Sequence, residues 1–232
     1  MLSAIAVVPS APVMVPELAS GAAPECDELR AAVLRAAGEL PDRWVAIGVA
    51  AADRVIAPGS AGTFAGYGVD VPVTLGPETP GTEAEAVRPL PLCALITGWV
   101  RGQCNPRGSA QVRAYAAGHD ASAAVYIGRA LRAEIDATAD PIGVLVVADG
   151  ANTLNPSAPG GYDAASVPVQ EALDDALATG DVAALASVGG GIVGAVAFAV
   201  LAGLAEPTSW SAREYYRGAP YGVGYFAGVW LP

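Results

Sequence analysis

Lysine is absent from this sequence, and histidine occurs once, as His119. A Walker-type phosphate loop, a lysine-dependent active site and a histidine-rich metal centre are thereby excluded. The twelve basic residues are all arginine, set against 23 acidic ones, for a formal net charge of −11. Such a surface repels phosphate backbones, and no arginine run interleaved with aromatics occurs, so no nucleic-acid partner is expected. The three cysteines, Cys26, Cys93 and Cys104, are odd in number and form no CxxC pair. That excludes a zinc knuckle and a disulfide framework, and suits idle thiols in a reducing cytoplasm.

Charge itself is scarce, at 15% of residues against 53% hydrophobic ones, so the chain can bury a sizeable core. The start, Met1 to Val8, lacks a basic region and runs into Pro9, which reads as a first strand and not as a signal peptide. Ala183 to Ala205 carries no charge and is about as long as a membrane span. It holds five glycines, however, and is flanked by Asp181 and Glu206 where anchoring cations are expected. We read it as a buried helix entered through Gly189-Gly190-Gly191 and stopped at Pro207, with no membrane span. Gly189 to Gly194 is not a GxGxxG following a strand, so no dinucleotide site is expected.

Apolar runs without alternation at Leu2–Val8, Arg43–Ala50 and Ile142–Ala148 predict strands buried on both faces. Further strands are expected at Val69–Leu75, Gln111–Ala116, Trp210–Tyr216 and Val223–Trp230. Helical spacing predicts helices over Glu25–Leu40, Pro89–Gln103, Asp120–Ala137 and Ser166–Thr179, the last with Asp174 and Asp175 outward. Alternating strands and helices imply one α/β domain, residues 1–232, with a mostly parallel sheet covered on both faces.

In open α/β sheets, sites form where loops leave the carboxyl ends of the strands. Three exits qualify: Ser10, Asp53, and Asp149 to Asn152. Ser10 lies in Pro-Ser-Ala-Pro and not in a GxSxG elbow, and no histidine stands ready as its base. Asp53 precedes Arg54, as in a solvated ion pair. Asp149-Gly150 reads as a strand-ending turn, or as a carboxylate placed for chemistry. His119, just before a helix, reads as a surface or capping group. The glycines of Gly218 to Tyr225 suggest a close approach to backbone or ligand.

Several of these segments together resemble the class III extradiol ring-cleaving dioxygenase superfamily, which includes the protocatechuate dioxygenase catalytic subunit and the Memo-type proteins. Val7–Leu18 (VVPSAPVMVPEL) is similar to a family loop that reads roughly PHAPLLVPE. Val45–Asp53 (VAIGVAAAD) stands where members carry a strand ending in Ser-Pro-His. Val146–Asp163 (VVADGANTLNPSAPGGYD) is similar to SGDLSHRLTPDAPAGYD, and Gly218–Tyr225 (GAPYGVGY) to APFGVGY. The likeness spans residues 4 to 228 and is nearest to the actinobacterial subunit-B-like branch, which suits the Arg-only, Ala-rich composition. It implies a three-layer α/β/α sandwich with a mostly parallel central sheet.

The resemblance also implies a non-haem iron held by histidines at Ser10 and near Asp53, with a catalytic histidine at Asn152 and an aspartate at Asp149. Here hydroxyl, carboxylate and amide replace the imidazoles. That oxygen-only set suits weak Mg²⁺ or Ca²⁺ and is poorly suited to Fe(II). No cofactor is therefore expected. The expected site has Asp149 and Asn152 as its chemical groups, lined by Ser10, Asp53, Tyr162 and Tyr221. The function implied is a cytoplasmic relative without ring cleavage, retaining a pocket for a small molecule or partner and able to form a homo-oligomer. The alternatives are a hydrolase, lyase or non-iron oxidoreductase using Asp53, Asp149 and Asn152, or a non-catalytic subunit of a hetero-oligomer.

Overall fold

A computed structural model of the chain describes residues 1–19, 26–77 and 89–232. Its centre is a seven-stranded sheet built from β1 (Leu2–Val8), β2 (Arg43–Ala50), β3 (Arg54–Ile56), β6 (Ser109–Ala116), β7 (Ile142–Val147), β8 (Ser211–Gly218) and β9 (Tyr225–Leu231). The strand order is β3-β6-β2-β7-β1-β9-β8. The four central strands β6, β2, β7 and β1 are parallel, while β3, β9 and β8 join antiparallel at the two sides. The sheet is thus parallel in its core and mixed as a whole. A separate hairpin pairs β4 (Ala61–Thr63) with β5 (Pro72–Thr74), a shorter strand than the Val69–Leu75 expected.

The apolar strand runs have a simple cause: both faces are covered. Ala4, Ala6, Val8, Ala46, Leu145 and Val147 belong to one buried cluster, with residues of α2 (Asp27–Gly38) and α3 (Leu92–Cys104). Their immediate neighbours Ile5, Val7, Val45, Ile47, Val144 and Val146 belong to the other cluster. That second cluster includes α4 (Ala121–Asp136), α5 (Ser166–Thr179), α6 (Val182–Ala186) and α7 (Ala195–Ala205). Successive side chains leave a strand on opposite faces, so each strand serves two cores and has no polar alternation. Glu25, expected to open the first helix of the chain, lies outside the described residues; the observed helix is α2, and an unexpected four-residue α1 (Pro16–Ala19) precedes it.

The uncharged segment divides into two helices. Asp181 caps α6 by accepting from the Ala184 amide at 3.0 Å, the glycines 189–191 break the chain, and α7 begins only after Gly194. From Val196 to Ala205 every residue of α7 is buried, which explains the missing charge without a bilayer. Its 11 residues span about 16 Å, roughly half a bilayer core. No helix among the described residues is long and apolar enough to cross a membrane.

Helix α7 packs on α4 through two glycines that face each other's backbones. A Cβ built on Gly128 would collide with the Val200 carbonyl, and one on Gly203 with the Val125 carbonyl. On the other face, the buried Arg101 of α3 ties the end of β5 to the loop between α3 and β6. It donates to the Thr74 carbonyl at 3.0 Å, the Pro106 carbonyl at 2.9 Å and the Gly108 carbonyl at 3.2 Å. A guanidinium that finds fixed acceptors in this way can be buried without a carboxylate partner.

Candidate functional site

The four parallel strands end on the same edge of the sheet, and their exits carry Ser10, Asp149, Asp53 and His119. Strands β1 and β7 are neighbours, so the first two meet. The Ser10 amide donates to Asp149 Oδ1 at 2.7 Å, just beyond the last rung between β1 and β7, where the Ala148 amide donates to the Val8 carbonyl at 3.0 Å. Burial pushes the Asp149 carboxyl up to about 6, against the opposing pull of the Ser10 amide.

Strand β9 lies beside β1 with Val7 opposite Gly228, which brings its first residue, Tyr225, to the same edge. The Tyr225 phenol is raised above its ordinary value by burial, and then by the charges of Asp149, Cys26, Tyr221 and Tyr216. Cys26 at the start of α2 donates a long thiol contact to the Tyr221 oxygen, at 3.8 Å. The predicted lining residue Tyr221 is accordingly joined by Tyr216, Tyr225 and Cys26, none of which the sequence singled out for the site. The one available signal was the run of glycines around Tyr221 and Tyr225.

The segment after Asp149 is held from two sides. The Gly150 amide donates to the Gly224 carbonyl at 2.8 Å, and the Gly224 amide to the Ala151 carbonyl at 2.8 Å. The Leu154 amide donates to the Gly222 carbonyl at 3.0 Å. On the far side the Val193 and Gly194 amides donate to the Gly150 and Asp149 carbonyls, at 3.1 and 2.9 Å. The close approach expected of the tail glycines is thus an approach to the 149–154 backbone.

The buried side chain of Gln170, from α5, fills the space that the missing Cβ atoms of Gly150 and Gly224 leave open. Its Oε1 accepts from the Ala151 amide at 2.7 Å and its Nε2 donates to Asp174 Oδ1 at 2.8 Å. Asp174, expected to face outward, is instead buried, because Gln170 one helical turn earlier supplies its partner. Burial pushes its carboxyl up to about 6, opposed first by the Gln170 hydrogen bond and then by Arg217. Gln170→Ala is expected to lower stability by about 2 kcal/mol, since it strands the Ala151 amide and opens a void. Chemical denaturation measures the loss, and faster amide exchange at Ala151 locates it.

Asp53 does not pair with its neighbour Arg54, which donates to the Pro89 carbonyl at 3.2 Å. Residue 53 leaves the end of β2 and reaches across to the end of β6. Its Oδ1 accepts from the Ala116 amide at 2.7 Å, and its two oxygens contact His119 Nε2 at 2.9 and 3.0 Å. The Ala116 amide, then His119, hold the Asp53 carboxyl below its ordinary range. The capping role goes to Asp120, which accepts from the Ala123 amide at 2.8 Å, and His119 is a partner of Asp53 instead. Tyr115 lies edge-on to His119 at 6.5 Å, and burial pushes its phenol up to about 12.

Asn152 sits in the loop that folds back on itself, its carbonyl accepting from the Gly160 amide at 3.0 Å. No hydrogen bond joins it to Ser10, Asp53 or Asp149. Tyr162 is 57% exposed on the same loop. The predicted residues thus form two linked pairs, Ser10 with Asp149 and Asp53 with His119, with Asn152 and Tyr162 bonded to neither. A groove of about 500 Å³ lies elsewhere, against Pro168, Val169, Leu173, Ala184, Val188 and Gly190.

The residues at the implied iron positions do not fit that metal. They are a hydroxyl, a carboxylate engaged by His119 and an amide, and the chain's one imidazole is turned to Asp53. Among the described residues, no three of His, Cys, Asp and Glu gather closely enough to hold an ion.

Fold and strand-end site together define an α/β protein with a mixed sheet whose core is parallel. Among solved structures, it is similar to the uncharacterized protein JW3007 from Escherichia coli K12, with a TM-score of 0.62 and 12% identity. The alignment covers 99% of this chain and 100% of that one, so the likeness is one of fold over the full length. No protein-family profile and no curated protein matches the chain.

Proposed function

We propose that this chain is a three-layer α/β/α domain of the class III extradiol dioxygenase type whose strand-end cleft binds a small molecule without iron. The observation that carries this reading is the Asp149 carboxyl. It stands at the head of a buried parallel strand and accepts from the Ser10 amide, and its charge acts on the Tyr225 phenol. Helices on both sheet faces and the full-length fold likeness support the architecture. The non-iron part rests on the donor set, since two neutral imidazoles and a carboxylate on one face of the metal are what Fe(II) sites of this kind use. Asp149 is the anchoring group, and Ser10 fixes its rotamer.

One observation favours a second reading, an enzyme with altered chemistry. A carboxyl pushed up to about 6 is matched to proton transfer near neutral pH. In that case Asp149, and not Asn152 or Asp53, is the acid–base group.

Protein purified from iron-replete cells is expected to carry iron well below one equivalent and to leave catechols uncleaved. Stoichiometric iron with catechol turnover overturns the proposal. Binding and catalysis separate on Asp149→Asn. Loss of a turnover that wild type performs selects the enzyme, and loss of ligand affinity alone selects the binding protein.

A further inference from the structure

We propose that a groove between α1, β5 and α3 is a second binding site, for a small zwitterion with an apolar body. Its carboxylate sits on Trp99 and Arg101, and its ammonium on Glu17. The groove holds about 240 Å³. Ser10, Asp53, His119 and Asp149 do not line it, so it is distinct from the strand-end site.

A buried indole N–H normally finds an acceptor. Trp44 donates to the Pro41 carbonyl at 2.5 Å, Trp210 to the Ala205 carbonyl at 2.9 Å and Trp230 to the Leu177 carbonyl at 2.8 Å. Trp99 breaks the pattern. It is 6% exposed, lines the groove, and its N–H has no acceptor among the described residues.

Arg101 lines the same groove. Four of its five N–H groups are spent on the carbonyls of Thr74, Pro106 and Gly108 and on the Thr74 hydroxyl, which leaves one on Nη2. Glu17 lines the groove from α1. Among the described residues, neither Arg101 nor Glu17 has an ion-pair partner. Arg101 is buried and Glu17 exposed, so the groove is positive in its depth and negative at its rim.

Two glycines one turn apart on α3 shape the space. A Cβ built on Gly98 would stand 3.1 Å from Val73 and 3.2 Å from the Thr74 carbonyl, so β5 lies directly against the helix there. Gly102 has no atom within 4 Å of its missing Cβ, and the groove opens over it. Val71 and Val73 supply an apolar wall.

Charge ranks the ligands. An anion answers Trp99 and Arg101 and leaves Glu17 unpaired, while a cation does the reverse. A neutral molecule uses neither charge. A zwitterion answers both ends with charge-assisted hydrogen bonds. Drug-sized ligands occupy roughly 300–1,000 Å³, so this smaller groove suits a molecule the size of an amino acid.

The test uses the full chain and three probes of matched shape: L-leucine, isocaproate and isoamylamine. Binding is read by calorimetry and by the indole N–H signals in NMR spectra, Trp99 being the one missing from Trp99→Phe. Leucine is expected to shift that signal and to leave those of Trp44, Trp210 and Trp230 in place. It is expected to bind at least about tenfold more tightly than either singly charged analogue. Trp99→Phe keeps a ring and loses the donor, and about tenfold in leucine affinity is expected to go with it. Glu17→Gln is expected to bring leucine down to the affinity of isocaproate. Gly102→Phe fills the open space and is expected to abolish binding with the melting transition retained.

No leucine binding, equal affinity for leucine and either analogue, or a shift at the other indoles in place of Trp99 overturns the assignment. So does unchanged leucine affinity in Trp99→Phe or in Gly102→Phe. Should Trp99→Phe fail to fold, Gly102→Phe and Glu17→Gln decide the matter by the same criteria.

Discussion

Gly203→Val is expected to lower the unfolding free energy by about 4 kcal/mol, one of the largest single-residue effects in the chain. The cause is the crossing of α4 and α7. Gly128 and Gly203 place two helix backbones in contact, and each faces a carbonyl of the other helix, at Val200 and Val125. A side chain at either position must force the helices apart. Every residue of α7 from Val196 onward is buried, so separation opens gaps along the whole face. Gly102→Ala is the control. Gly102 lies on α3 with nothing near its missing Cβ, and alanine there is expected to stabilise by about 0.5–1 kcal/mol through helix propensity. Denaturant midpoints at constant m-value measure both variants. If Gly203→Val matches Gly102→Ala, the helices do not cross as closely as described. Combining Gly128→Ala with Gly203→Ala is expected to cost less than the two separate losses, because one separation of the helices accommodates both.

The strands and helices of this fold are legible because each is a local pattern. Leu2–Val8, Arg43–Ala50 and Ile142–Val147 are continuous apolar runs, and the two core clusters show why no alternation breaks them. The order of the strands is not local. Nothing in Tyr225–Leu231 says that it runs antiparallel beside β1, and that pairing is what brings Tyr225 to the edge that carries Ser10 and Asp149. Asp53 and Arg54 illustrate the same limit. Neighbours along an extended chain point to opposite sides, so the residue next in sequence was a poor candidate partner, and the one 66 positions away took its place. Gln170 and Asp174 are the opposite case. Their spacing of one helical turn was visible, and only the surrounding burial, which decides that they face inward, was not. The glycines of the tail and of Gly150 could be read as a close approach, yet the object approached, a glutamine from α5, came only with the packed structure.

Native stability is expected to fall as the pH rises from about 4 to about 7 through the two buried carboxyls. Asp149 and Asp174 each go from 3.8 to about 6 on folding, with burial as the largest cause. A carboxyl raised on folding favours the native state when protonated. Its contribution is therefore complete below pH 3.8 and is lost as the pH climbs through about 6. The interval corresponds to about 3 kcal/mol for each group at most. Asp53 and Asp136 are held low by hydrogen bonds and run the other way, their contributions fading as the pH falls. The two senses separate in difference curves. Asp149→Asn and Asp174→Asn are each expected to stabilise the protein by about 2–3 kcal/mol at pH 7.5 and to leave it unchanged near pH 4. Equal effects at both pH values would sink the assignment of burial as the cause. Asn at 149 can still accept from the Ser10 amide, so the strand-end geometry survives the change. Evolution tolerates a destabilising carboxylate most readily where something compensates it.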